Sequence, residues 1–123
     1  MITFRQKKQK EVNLMKEAIN YLQKQQVPFD TIKEKDSDSV SQKSAKSIVL
    51  VCFKLNEQGL VQLQVQDKKL YSWTEKMISE IFGMEIIDID QKKRIITAIT
   101  EHKGHALDAI EILGLKYNLS IVI

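Results

Sequence analysis

QKKRIITAITEHKGHALDAIEILGLKYN, residues 91–118, decides how the second half of this chain is read. Ile95, Ile96, Ala98 and Ile99 give 91–102 an apolar stripe that Gly104 interrupts, and Leu107, Ile110 and Leu113 repeat the pattern up to Gly114. Glycine adopts φ > 0 without steric penalty and commonly closes helices, so the stretch reads as two amphipathic helices joined by a tight turn. The residues that follow, LSIVI at 119–123, are mostly β-branched. They either continue as a helix or, on the alternative reading, form a terminal strand on a sheet edge.

Working toward the N-terminus, 84–89 is a compact apolar run that reads as a strand, with Asp90 placed to cap the next helix. Met77, Ile78, Ile81 and Phe82 form the buried stripe of a helix that begins near Ser72 or Thr74 and is closed by Gly83, with 70–73 as a short strand before it. Residues 60–66 alternate: Val61, Leu63 and Val65 share one face, and Gln62, Gln64 and Gln66 line the other, as in a half-buried antiparallel strand. A hairpin at Asn56-Glu57-Gln58-Gly59 joins it to IVLVCFKL at 48–55, which is apolar on both faces and reads as a central strand with Cys52 as a buried apolar residue. The Ser-, Asp- and Lys-rich segment 35–46 reads as a mobile loop, and 29–34 as an edge strand after Pro28. Val12, Met15, Ile19 and Leu22 make 5–26 a long amphipathic helix.

These elements predict a single α+β domain over 1–123. A long N-terminal helix packs on a mainly antiparallel sheet of three to five strands built from 29–34, 48–55, 60–66 and 84–89. A C-terminal helical pair follows.

At 123 residues the chain is long enough to bury a core without metal or disulfide support. No apolar run reaches the roughly 20 residues of a membrane-spanning helix, which excludes that class. The start, MITFRQKKQKEV, lacks the apolar segment of a secretory signal, and Cys52 has no second cysteine to pair with, so a cytoplasmic location is expected. The net charge of +3 is unevenly placed: residues 1–28 hold six Lys or Arg against two acids.

At Ile95-Ile96-Thr97-Ala98-Ile99, Gly104, Ala109 and Leu113-Gly114-Leu115 the chain resembles the Fis-type helix-turn-helix of bacterial enhancer-binding activators. The resemblance implies that Ala109 permits close helix crossing, Gly114 turns the chain and Leu115 fills the gap between helices. His105 and Tyr117 stand where that family has Asn and Arg, and only Lys116 is basic in the segment that would read DNA. Over 5–89 the order helix, three strands, helix, strand resembles the restriction-endonuclease-like core in topology only. Lys54, Gln62 and Gln64 stand where Mg²⁺-binding carboxylates would be required, and Asp67-Lys68-Lys69 falls in a turn.

No phosphate-cradling glycine loop, nucleophile elbow or Cys/His pair is present, so no catalytic residue and no cofactor is assigned. His102 and His105 lack the further ligands a metal site needs, and they read as exposed polar residues. The expected function is that of a small non-catalytic regulatory or accessory protein that acts by binding. Its nucleic-acid contacts would be Arg5, Lys7, Lys8 and Lys10 on the first helix, Lys92, Lys93 and Arg94, and Lys116. The alternative is a protein-binding module, an adaptor or toxin-neutralising partner, using the sheet face of Gln62, Gln64 and Gln66 or an edge strand for strand addition. A homo-oligomer is expected on either reading, because the apolar end IVI must be covered; an endonuclease-like protein with degenerate acids is the third reading.

Overall fold

The computed structural model describes residues 10–33, 48–67, 69 and 72–122. In chain order the elements are β1 (Val12–Asn13), α1 (Met15–Lys24), β2 (Asp30–Ile32), β3 (Ile48–Leu55) and β4 (Val61–Asp67). Then come α2 (Ser72–Lys76), running into a π-helical turn (Met77–Ile81), β5 (Glu85–Asp90), β6 (Ile95–Thr100), α3 (Lys103–Lys116) and β7 (Leu119–Val122). The strands form one seven-stranded mixed sheet in the order β2-β7-β3-β4-β6-β5, with β1 paired to the far end of β3.

The α+β class holds, but three expectations about its parts are corrected. The long N-terminal helix is only ten residues, Met15–Lys24, and Val12 and Asn13 pair with Leu55 and Lys54 as a strand. The sheet has seven strands, not three to five, and β7 is parallel to both β2 and β3. The third correction is the helical pair, since 95–100 is strand β6 and only α3 is helical. Five of its six residues, Ile95, Ile96, Thr97, Ile99 and Thr100, are β-branched, and their stiff χ1 angles favour a pleated surface. The expected loop at 35–46 lies outside the described residues.

Asp90 does cap something, but it is a turn. Its carboxylate accepts the N–H groups of Lys92 and Lys93 at 3.0 Å each, and Arg94 takes φ 62° to bring the chain into β6. The resulting β5–β6 hairpin adds two strands beside β4. Because β6 and β7 both run parallel to β3, the chain must cross over between them, and α3 is that crossover. Residues 119–122 therefore form an interior strand, not the edge strand foreseen, with β2 outside them.

All described helices pack on one face of the sheet. Leu50, Phe53, Val61, Leu63, Val65, Ala98 and Ile121 meet Ala18 and Leu22 of α1, Met77 and Ile78 of the π turn, and Ala106, Ala109, Ile110 and Leu113 of α3. The first half of β3 is buried on both faces, but past an irregularity at Val51 its outer residues Cys52 and Lys54 are only half-buried. Gly104 and Gly114, expected as helix ends, both lie inside α3. Gly114 is required there by contact: a Cβ on it would lie 2.6 Å from Val27 Cγ1. Leu115, expected between helices, is 60% exposed. Among the described residues no helix is long and apolar enough to cross a membrane.

Candidate nucleic-acid interface

The register brings one set of chain ends together. Ile48 opposes Asp67 and Leu119, Gln66 opposes Ile95, and Ile95 opposes Asp90, so the β5–β6 turn, the end of β4 and the start of β7 share one end of the sheet. The C-terminus of α3 arrives at the same end, because Tyr117 and Asn118 lead directly into β7. Lys92, Lys93, Arg94 and Lys116, though widely separated in sequence, therefore gather along one rim. Lys69, just past β4, joins them.

Two hydrogen bonds tie the turn to β4. The Asp67 N–H donates to the Arg94 carbonyl at 2.9 Å, and the Gln66 side-chain amide donates to the Lys93 carbonyl at 3.0 Å. Asp67 is 1% exposed and receives the Lys69 N–H at 3.2 Å. With Asp90 occupied inside its own turn, both carboxylates here serve local structure, whereas the side chains of Lys69, Lys92 and Lys93 are exposed. Asp30 sits at this end too, on edge strand β2, four strands from β6, or about 19 Å at ordinary strand spacing.

Lys116 has two reasons to lie where it does. A cation is favoured at a helix C-terminus by the carbonyl dipoles, and its ammonium stands 4.8 Å from the centre of the Trp73 ring. Trp73 in turn meets Tyr117 edge to face at 6.0 Å. Half-buried, Trp73 packs its inner side on the core. Trp73, Tyr117 and Lys69 were not assigned as contacts from the sequence; the one usable signal was that the chain's sole tryptophan lies six residues after Asp67.

The remaining expected contacts fall elsewhere. Lys10 precedes β1, whose pairing with Leu55 and Lys54 puts it at the opposite end of the sheet, and Arg5, Lys7 and Lys8 lie outside the described residues. Gln62, Gln64 and Gln66 do share the sheet face away from the helices, beside Cys52 and Lys54 of β3 and Ile95, Thr97 and Ile99 of β6. Their amides are engaged within that face: Gln64 donates to Thr97 Oγ1 at 3.1 Å, and Gln62 Oε1 accepts from Asn56 at 3.5 Å. Burial pushes the Cys52 thiol up, with Lys54 pulling the other way. Of the apolar end IVI on which the oligomer expectation rested, Ile121 is fully buried within the chain, Val122 is half-buried and Ile123 lies outside the described residues.

The His102 and His105 rings lie 4.8 Å apart at the N-terminus of α3. Among the described residues no group of three or more His, Cys, Asp or Glu could hold a metal ion. Between α1 and α3 the Tyr21 hydroxyl lies 2.9 Å from both Asp108 Oδ1 and Glu111 Oε1. Burial, and then these two carboxylates, push its ionisation well above the ordinary tyrosine value. Comparison with protein-family models, with curated proteins and with solved structures finds no match to this chain.

Proposed function

We propose that this protein is a small accessory protein that binds nucleic acid through the rim formed by Lys69, Lys92, Lys93 and Lys116. The observation that carries the reading is the convergence of these cations at one end of the sheet, where the Asp67 and Asp90 carboxylates accept backbone N–H groups of their own turns. A row of exposed ammonium groups suits a chain of phosphates, because each contact releases condensed counterions whatever the base sequence. The glutamine face is the weaker candidate for the working surface. Its amides are already bonded to Asn56, to Thr97 of β6 and to the Lys93 carbonyl, and a partner would have to replace those hydrogen bonds.

Fluorescence anisotropy with labelled DNA tests this. About four phosphate contacts give a slope of log K against log salt of about −3 to −4, a loss of roughly a hundredfold between about 50 mM and about 200 mM salt. The double variant Lys92→Glu, Lys93→Glu should weaken binding and reduce the slope by about 2, leaving the fold intact because both side chains are exposed. No binding at the lower salt, or a slope indifferent to the double variant, defeats the reading.

A further inference from the structure

We infer that the ligand of this rim is a single strand, one base of which stacks on the indole of Trp73 in the place now held by the Lys116 ammonium. The inference rests on the nucleic-acid reading above and narrows it. Three observations select a single strand over a duplex.

First, among the described residues the rim turns no helix face outward to enter a groove. The major groove is read by a helix or a two-stranded ribbon that penetrates about 8.5 Å. The β5–β6 hairpin is the one ribbon at this end among the described residues, and the Asp67–Arg94 and Gln66–Lys93 bonds tie its turn to β4, so it is the margin of a wider sheet and not a free two-stranded ribbon. Helix α3 presents only its C-terminus, where the carbonyl dipoles are unfavourable to phosphate and Lys116 offsets them.

Second, the rim offers an aromatic platform beside the cations. Trp73 follows Asp67 by six residues, so its Cα lies within roughly 20 Å of the β4 end, and the strands from β7 to β6 span about 14 Å. A few nucleotides of one strand cover that distance. A duplex keeps its bases stacked on each other and has no free face to offer the indole, whereas a single strand does.

Third, the ring is already arranged to hold a flat or cationic group. The T-shaped contact with Tyr117 and the core packing of its inner side fix the indole plane, and Lys116 covers it at 4.8 Å. When a base takes that position, the Lys116 ammonium moves off the ring and meets the adjoining phosphate, so one side chain serves first as a cover and then as a phosphate contact.

Trp73 is the only tryptophan, so the intact protein reports on its own site. Titration with an oligo(dT) of about ten nucleotides should quench its emission in step with binding followed by anisotropy, whereas heparin, a polyanion without bases, and a blunt duplex of equal charge should not. Trp73→Ala should weaken oligo(dT) binding by roughly fivefold to a hundredfold. Trp73→Phe, which keeps a ring in the packing, should lose less, and duplex binding should be unchanged in both. Binding to all three probes with equal affinity and no quenching peculiar to oligo(dT) overturns the single-strand inference but leaves phosphate binding standing. Failure of every probe to bind overturns both.

Discussion

Replacing Gly114 by alanine should destabilise this protein, although the same change in an ordinary helix position stabilises by up to about 1 kcal/mol. The new Cβ would stand 2.6 Å from Val27 Cγ1 and 3.4 Å from Leu119 Cδ2, well inside contact distance on the first. Val27 is 3% exposed and β-branched, with few rotamers to escape into, and Leu119 behind it is 1% exposed. Overpacking costs about 1–3 kcal/mol, and a contact this short between buried, stiff groups belongs in the upper half of that range, so after the propensity gain the net loss is about 1–2 kcal/mol. For a domain of this size that is a fall in Tm of about 4–8 °C. Gly104→Ala is the control: nothing lies within 4 Å of its would-be Cβ, and the variant should be neutral or slightly stabilised. A third variant separates contact from conformation. Val27→Ala removes the clashing methyl, so Gly114→Ala introduced into that background should no longer destabilise. Thermal unfolding of the parent and the four variants, the double one included, decides it. If Gly114→Ala is at least as stable as the parent, or its penalty survives in the Val27→Ala background, the close approach of α3 to the segment after α1 is refuted. A glycine required for a left-handed turn would behave in that second way.

Other expectations follow from particular contacts. The Tyr21 hydroxyl ionises less readily in the folded chain than its ordinary value of 10.0, so its contribution is complete below that pH; above it the unfolded chain releases the proton first and stability declines. Tyr21→Phe should cost at most about 1 kcal/mol at neutral pH, because the carboxylates are partly in water, and should flatten the alkaline decline in urea midpoints; an unchanged alkaline slope would falsify the assignment. Asp90→Ala removes the acceptor of two turn N–H groups and should cost about 1 kcal/mol, whereas Asp90→Asn, which keeps an oxygen there, should cost less; equal losses would count against the capping role. Deleting 119–123 removes a strand bonded on both sides and should abolish folding by circular dichroism, so a folded truncated chain would contradict the interior position of β7.

The residues that form β3 and β4, the hairpin between them, and the run 84–89 could be read directly, since alternation and turn chemistry are properties of neighbours in the chain. The glutamine row was legible for the same reason and lies where the alternation of 60–66 put it, opposite the helices. The stretch 91–102 was read as a helix because its apolar spacing fits both periods. The count of β-branched residues was the better guide, and pairing with β4 and β5 decided it. Gly104 and Gly114 look alike as letters, yet one stands in open space and the other against Val27. Nothing local distinguishes them.

What the chain alone determined about this protein, then, is its α+β character, the strands whose side chains alternate, and the absence of a long apolar span, because these follow from composition and short-range period. What only the tertiary structure decided is the parallel return of β7 between β2 and β3 and, with it, the gathering of Lys69, Lys92, Lys93 and Lys116 at one end of the sheet, with Lys116 over Trp73. Those residues are up to 47 positions apart, Lys69 to Lys116, and their proximity depends on strand order and register, which long-range burial selects and no short window of sequence contains.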